Sequence, residues 1–263
     1  MKKDAKKMKE SSIPLYIWCT VVMLFLMLPI LIIVPMSFGG SDFLEFPPSS
    51  FSLRWYKAMV EGEWMKGLLN SMKIATGTVV LSVGLGTLAA IGIKNPKMKF
   101  GGIINIICLL PMMLPVVIIA VAMYLVYGSW KITGTFPAII LAHCCIAVPM
   151  VITMMTSALS NVDMRLYDAA RSLGASHMEA NIRVILPLVK PALFTSILFS
   201  FVTSFDESVI SLFITDRTTI TLPRMIFNSL RFEISPAISA ISTVLIVVTV
   251  IIFIVNSFLE QSK

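Results

Sequence analysis

Long apolar stretches alternate with short polar segments along almost the whole chain. Six of these stretches are long enough to cross a bilayer as a helix, which takes about 20 residues. They lie at about 13–36, 69–93, 103–127, 134–159, 188–214 and 236–258. The pattern therefore predicts an all-α polytopic membrane protein with six transmembrane helices. We expect a basic tail at 1–12 and a membrane domain at 13–263.

The composition agrees with this class. The chain is 57% hydrophobic and 13% charged, whereas a soluble domain carries about a quarter charged residues. The net charge of +7 does not indicate a nucleic-acid partner, because the basic residues form no patch with interleaved aromatic residues. They lie between the apolar stretches instead, where a membrane protein places them.

The positions of the basic residues predict the orientation. Lysines and arginines are concentrated in the N-terminal tail, in the loop "KNPKMK" and around the long loop before the fifth span. Cytoplasmic segments of membrane proteins carry such an excess. An even number of spans puts both ends of the chain on one side, so we expect both termini to be cytoplasmic. The first apolar stretch is too long for a signal peptide and is expected to remain as a span.

No metal or cofactor site is predicted. The four cysteines lie in apolar stretches without the spacing of metal ligands, which is typical of buried packing residues. They are Cys19, Cys108, Cys144 and Cys145. His143 lies inside the fourth span, where we expect an interhelical hydrogen bond, with contact to a solute or a proton as the alternative.

Two adjacent acids stand out in the fifth span, in "FSFVTSFDESVISLF". On a continuous helical wheel Glu207 lies in a stripe of hydroxylated residues that includes Ser204 and Ser211, and Asp206 lies at its edge. An ionised carboxylate inside a bilayer costs a few kcal/mol or more. We expect these four residues to line the pathway of a cationic solute. The alternative is an interfacial acid that reaches water or pairs with a basic residue.

The third span contains "PMMLP", with Pro111 and Pro115 four residues apart. Proline removes a backbone hydrogen bond and kinks a spanning helix. The sequence predicts a kink here and leaves open whether it is static or moves.

The loop at about 160–187 is too long and too structured for a simple turn. Ser160 with Asp163, and Ser176 with Glu179, have the spacing of capping boxes. Gly174 precedes the second box, where a glycine commonly ends a helix in the left-handed conformation. The loop is therefore predicted to form a helix, a glycine break and a second helix that ends at Pro187.

The same loop resembles the EAA loop of importer-type ABC transporter permeases. That pattern is Glu-Ala-Ala, three residues, Gly, nine residues, Ile, one residue, Leu-Pro. This chain matches the spacing throughout, with aspartate for glutamate and valine for isoleucine. The matching positions are Asp168, Ala169, Ala170, Gly174, Val184, Leu186 and Pro187.

The resemblance implies a type I ABC importer fold and a set of partners. In that family the loop is a coupling helix that docks into an ATPase dimer and transmits the closure driven by ATP. Asp168, Ala169, Ala170 and Gly174 would have this role here. The chain contains no Gly-Lys dipeptide and hence no phosphate-binding loop of the G-x-x-x-x-G-K-[ST] kind. We expect a non-enzymatic subunit, a separate ATPase, a second related permease and an extracytoplasmic solute-binding protein, in a prokaryotic cytoplasmic (inner) membrane.

Several further segments are similar to permeases of spermidine/putrescine-type importers. They include "SFDESVISLFIT" and "TLPRMIFNSLRFEISPAISAISTVLI". The similarity implies a permease subunit for a polyamine, spermidine or putrescine, with aminoethylphosphonate and ferric iron as alternative solutes. A different class, a stand-alone ion-coupled cation transporter, would use the acids as a cation site and need no ATPase.

Overall fold

The computed structural model describes the backbone of residues 2–95, 98–232 and 235–261, and the side chains of 15–95, 98–231 and 235–251. Lys97, Lys263 and the side chains of the basic tail lie outside this part. Within it every regular element is helical, apart from one isolated bridge between Gly39 and Phe51. The all-α prediction is confirmed.

The helices are numbered in chain order. They are α1 (Lys2–Met36), α2 (Arg54–Glu61), α3 (Glu63–Ile93), α4 (Gly101–Met113), α5 (Val116–Ser129), α6 (Phe136–Ser160), α7 (Arg165–Ser172), α8 (His177–Ala180), a π-helical turn (Asn181–Ile185), α9 (Leu186–Leu188), α10 (Lys190–Phe205), α11 (Val209–Ile214), α12 (Leu222–Phe232) and α13 (Ala237–Gln261).

The chain divides into two compact units. One contains residues Met1–Met65 and Asn228–Lys263, and the other contains Lys66–Phe227. In the first unit, the ring of Phe38 packs at 5.4 Å from that of Tyr56. The Tyr56 hydroxyl lies 2.6 Å from the Ser37 hydroxyl and so ties the start of the 37–53 segment to α2.

Among the described residues, three single helices are long and apolar enough to span a membrane: Leu15–Met36, Glu63–Ile93 and Phe136–Ser160. Two further candidates are bent pairs, α4 with α5 at 97° and His177–Leu188 with α10 at 79°. The apolar helix Ala237–Ile251 lies in the sixth predicted stretch. The described helices are consistent with the six predicted spans.

The predicted kink in the third stretch is a complete break. Leu114 is extended, with φ −88° and ψ 142°, because the residue before a proline is pushed out of the helical region. Pro115 then precedes the first turn of α5, where its fixed φ is tolerated. Pro111 lies inside α4.

The fifth stretch is also interrupted, and here the continuous wheel was wrong. Helix α10 ends at Phe205, and α11 begins at Val209. Asp206 and Glu207 therefore lie in a break between two helices, and beyond Phe205 the wheel does not give the direction of a side chain.

Two apolar clusters hold the second unit together. Ile74 of α3, Ile139 of α6 and Ile210 of α11 belong to one, and each is almost completely buried. Ala90 of α3, Met155 of α6 and Ile185 of the π-helical turn belong to the other. The second cluster fixes the long loop against the ends of α3 and α6.

Candidate functional site

The loop between α6 and α10 forms a helical hairpin, as predicted. Helix α7 ends at Ser172, Gly174 has φ +92°, and α8 begins at His177. A Cβ at Gly174 would meet no atom within 4 Å. The glycine is thus required by its backbone conformation and not by crowding.

One of the two predicted capping boxes is present. The Ser176 hydroxyl accepts from the Glu179 N–H, and the Glu179 carboxylate accepts from the Ser176 N–H at 2.8 Å. The hydrogen bonds from Ser176, and Arg183 with its Nη2 3.9 Å away, lower the pKa of Glu179. The carboxylate therefore remains charged near neutral pH.

The predicted box at Ser160 and Asp163 was wrong. Helix α6 continues through Ser160, whose hydroxyl donates to the Thr156 carbonyl at 2.8 Å. Asp163 instead accepts from the Arg165 N–H at 2.9 Å and so begins the turn into α7. Because Ser160 is helical, its side chain cannot cap the next helix.

Two contacts that the sequence did not reveal set the shape of the hairpin. The Tyr167 hydroxyl lies 2.6 Å from Nδ1 of His177, so it joins α7 to α8. The Arg171 guanidinium donates to the Ala175 carbonyl across the glycine break. Both side chains reach over the turn and hold the two helices at a fixed angle.

The predicted coupling residues fall into two groups. Asp168, Ala169 and Gly174 are exposed on the hairpin, and Ala170 is half-buried. Leu186 packs against the second apolar cluster, and Pro187 follows it in α9, next to the 79° bend into α10. The first group is available to another protein, and the second joins the hairpin to the spanning helix.

The two acids occupy the break between α10 and α11. Asp206 is exposed and follows the last residue of α10. Glu207 is half-buried, and its carboxylate accepts from the Ile210 N–H at 2.9 Å, in the first turn of α11. Neither acid forms an ion pair with any basic side chain that the structure describes. The alternative of pairing with a basic residue finds no support among these residues.

The two serines of the predicted pathway meet at His143. Nδ1 of His143 lies 2.8 Å from the Ser204 hydroxyl, and its Nε2 lies 3.5 Å from that of Ser211. Ser204 also donates to the Thr78 hydroxyl at 3.2 Å. All four side chains are buried in the chain. The interhelical hydrogen bond of His143 is confirmed, and the serines complete a polar contact between α3, α6, α10 and α11.

Replacing His143 by alanine is expected to lower the thermal stability of the complex. The change leaves a cavity, for which about 2–5 kcal/mol is usual in a core. It also removes interhelical hydrogen bonds, each worth about 0.6 kcal/mol in a membrane protein. The shift of the unfolding midpoint in detergent measures the effect. Cys145→Ala, at the next but one position of α6, should shift the midpoint much less, and equal shifts would contradict this account.

The loop between α11 and α12 is held by residues at the start of α3. The Asn70 amide donates to the carbonyls of Thr218 and Ile220, both at 3.0 Å, and the Leu222 N–H donates to Ser71 at 2.9 Å. These partners are about 150 residues apart in the sequence, so the loop anchor could not be predicted.

Asp216 forms a turn within the same loop. Its carboxylate accepts from the hydroxyls and N–H groups of Thr218 and Thr219, at 2.7–3.0 Å. These bonds, that from the Thr218 hydroxyl above all, lower the pKa of Asp216 to about 2. The loop and the hairpin contact opposite ends of α3. Asn70 lies near its start, and Ile91, near its end, lines a cavity together with Tyr167 and His177 of the hairpin.

The part of the chain that the structure describes contains no group of three or more His, Cys, Asp or Glu side chains that could hold a metal ion. The candidate functional features of this part are instead the hairpin at one end of α3, the buried polar contact at His143, and the two acids beyond α10 that form no ion pair within it.

Comparison with known proteins finds similar membrane transport proteins. A family model described as "Binding-protein-dependent transport system inner membrane component" matches residues 82–263. The spermidine/putrescine transport system permease protein PotC of Escherichia coli (strain K12) is 25% identical over 245 residues, covering 93% of this chain and 92% of that protein.

Two further relatives are similar over most of their length. PotC of Haemophilus influenzae is 28% identical over 244 residues, 92% of this chain and 95% of that protein. The putrescine transport system permease protein PotI of Escherichia coli (strain K12) is 27% identical over 241 residues, 87% of this chain and 85% of that protein.

Solved structures share the fold. A bacterial ABC transporter involved in the import of the acidic polysaccharide alginate superposes with a TM-score of 0.73 at 16% identity, over 96% of both chains. The bacterial alginate transporter in complex with an alginate pentasaccharide-bound periplasmic protein gives 0.73 at 15% identity, over 94% of both chains. The fold predicted from the EAA-like loop is confirmed.

Proposed function

We propose that this chain, which belongs to the family of binding-protein-dependent transport system inner membrane components, is one permease subunit of an ATP-driven importer of a polyamine. It provides half of the translocation pathway, and a second, related permease provides the other half. A solute-binding protein outside the membrane delivers spermidine or putrescine. A separate ATPase dimer supplies the energy.

The hairpin is the observation that carries this proposal. It presents Asp168, Ala169 and Gly174 at the surface, and internal hydrogen bonds fix its shape. A rigid, exposed surface with a small side chain at Ala169 and none at Gly174 is suited to insertion in a groove of another protein. The chain itself lacks a phosphate-binding loop, so hydrolysis belongs to the protein that receives the hairpin.

A continuous path connects the hairpin to the acids. The π-helical turn and α9 follow the hairpin directly, α10 begins after a 79° bend, and Asp206 follows the end of α10. Sixteen residues of helix span about 24 Å at 1.5 Å per residue. Movement of the hairpin by the ATPases would thus reach the acid pair through one helix and alternate the access of the pathway.

The choice of a polyamine rests on the relatives and on charge. PotC and PotI are permeases of spermidine/putrescine and putrescine systems. Asp206 and Glu207 form no ion pair in the described residues, so they are available to an ammonium group. Charge-assisted hydrogen bonds to carboxylates are among the stronger polar contacts. Both termini are assigned to the cytoplasm from the basic residues in the tail and the hairpin.

Uptake by the complete complex tests the proposal. The two permeases and the ATPases are reconstituted in liposomes, the solute-binding protein is added outside, and labelled spermidine is supplied with and without ATP inside. We expect ATP-dependent uptake of spermidine that is inhibited by unlabelled putrescine but not by aminoethylphosphonate or ferric salts. Inhibition by aminoethylphosphonate alone or by ferric salts alone would assign another solute. Flux through this chain alone without ATP would favour a stand-alone transporter.

A further inference from the structure

A second polar surface lies on the half of α6 that leads to the hairpin. A cavity of about 440 Å³ opens there between the end of α3, the start of α4 and the end of α6. Its lining residues are Ile93, Lys94, Gly102, Asn105, Thr153, Thr156, Ser157 and Ser160. None of the acids and none of the His143 network belongs to it.

The hydroxyl residues of the cavity lie on one face of α6. Thr153, Thr156, Ser157 and Ser160 follow the spacing i, i+3, i+4, i+7, which places them on one side of a helix. Beyond Leu141, the exposed residues of α6 are Thr153, Ser157 and Ser160. Every exposed position in this half of the helix is hydroxylated.

The exposed face of the adjacent helix has the opposite character. On α4 the exposed side chains are apolar, among them Ile103, Ile106 and Ile107. Asn105 points elsewhere, to the cavity, and it is half-buried. The exposed face of α4 is thus suited to lipid, whereas that of α6 offers hydroxyl oxygens to whatever enters the cavity.

The hydrogen bonds decide what the cavity offers. The hydroxyl protons of Thr153, Thr156 and Ser160 are donated to carbonyls of their own helix, at 2.9, 2.7 and 2.8 Å. Their oxygens keep lone pairs on the side of the cavity. The carbonyl oxygen of Asn105 is buried without a hydrogen-bond partner among the described residues. The wall is thus rich in acceptors, which suits a donor such as an alkylammonium group or water.

We propose that this hydroxyl face and Asn105 line the inner half of the translocation pathway and accept hydrogen bonds from the ammonium groups of the passing solute. The proposal rests on the proposed function as a polyamine permease. It adds a second cation-contacting surface, at the hairpin end of the membrane, to the acid pair beyond α10.

Lys94 defines how tightly this surface binds. It is exposed at the end of α3 and lines the same cavity. An ammonium there repels a cation, and none of the described residues that line the cavity is a carboxylate that could offset it. Conduction requires contacts weak enough for the solute to leave. The surface is therefore a passage toward the exit and not a storage site.

Thiol accessibility tests the placement without any assumption about the solute. The four native cysteines are replaced by alanine in a complex that still imports, and Ser157→Cys or Thr153→Cys is introduced. A thiosulfonate reagent with a quaternary ammonium is then added from the hairpin side. Ile107→Cys, on the exposed apolar face of α4, is the matched control. The charged reagent is disfavoured in hydrocarbon by roughly 3 kcal/mol. We therefore expect the control to be labelled about a hundredfold more slowly.

Addition of spermidine tests the contact with solute. We expect spermidine to slow the labelling of Ser157→Cys in the assembled complex, and not that of Ile107→Cys. Labelling of Ser157→Cys at the rate of the control would overturn the placement, as expected if lipid head groups filled the cavity. Fast labelling that spermidine leaves unchanged would overturn the contact.

A pair of substitutions at Thr153 tests the role of the oxygen atom. Thr153→Val keeps the shape and removes the acceptor, whereas Thr153→Ser keeps it. We expect slower spermidine uptake at saturating solute for the valine variant and uptake near that of the parent for the serine variant. Equal rates for the two would contradict the proposal. Loss of spermidine uptake in the unsubstituted complex would instead count against the proposed function, and the labelling rates would still stand by themselves.

Discussion

Replacing Gly174 by valine is expected to reduce ATP-dependent uptake by the assembled complex about tenfold or more. Gly174 has φ +92°, a conformation that costs an L-residue roughly 1–2 kcal/mol and a β-branched residue more. Since about 1.4 kcal/mol is a factor of ten, the strain lowers the population of the present hairpin shape, relative to any unstrained alternative, about tenfold or more. The helix α7 would then no longer present Asp168 and Ala169 in a fixed direction to the ATPase.

Two matched variants separate the backbone from the side chain. Gly84, in α3, also has open space where a Cβ would lie, but its φ is not positive. Gly84→Ala should therefore leave uptake unchanged. Gly174→Asn should retain much of the uptake, because asparagine tolerates the left-handed conformation. Co-purification of Gly174→Val with the second permease would show that the chain still assembles. Normal uptake by Gly174→Val would exclude the assigned role of the hairpin.

Replacing Glu207 by glutamine is expected to weaken the apparent affinity for spermidine roughly 10- to 100-fold, the effect of losing a hydrogen bond to a charged group of about 1.5–3 kcal/mol. The Glu207 carboxylate accepts from the Ile210 N–H, and the amide oxygen of glutamine can accept the same bond. The substitution thus removes the charge and keeps the start of α11. The concentration dependence of uptake measures the change.

Controls for this substitution use other acids of the chain. Glu61 lies on α2, far in the sequence from the break, and its Oε1 is 3.9 Å from Nζ of Lys57. Glu61→Gln should therefore leave the affinity for spermidine unchanged. Asp206→Asn removes the neighbouring, exposed charge and should weaken binding in the same direction. Wild-type affinity for both Glu207→Gln and Asp206→Asn would remove the acid pair from the solute pathway.

The sequence predicted the elements whose signals are local. Apolar length indicated the spans, and the offsets around Gly174 predicted the hairpin with its left-handed glycine. The capping box at Ser176 was found because serine and glutamate act within one turn. The same pattern failed at Ser160, since nothing local shows that α6 continues through it.

The break between α10 and α11 could not be predicted. No proline or glycine occurs between Phe199 and Phe213, so no helix-breaking residue marks the break at 206–208, and a short polar segment does not by itself end a helix. Ser204 and Ser211 nevertheless meet, because both contact His143 of α6. Their contact depends on packing between distant segments, which a wheel drawn on one helix does not contain.

The hydroxyl face of α6 could not be recognised from residue types and spacing. Serine and threonine in spans commonly pack against neighbouring helices, and Ser204 does so. Thr153 and Ser157 are residues of the same kind, yet they are exposed. Only burial in the folded chain separates the two groups.

The bend before α10 gives that helix the geometry of a lever. Its short arm is the hairpin together with the π-helical turn and α9, which ends just before Val189. Its long arm is the 16 residues of α10 that end at Phe205. With a length of about 24 Å, a tilt of about 5° displaces the far end by about 2 Å. That distance exceeds the difference between a made and a broken hydrogen bond. Under the proposed function, a small rotation forced on the hairpin would therefore be enough to engage or release an ammonium group at Asp206 and Glu207.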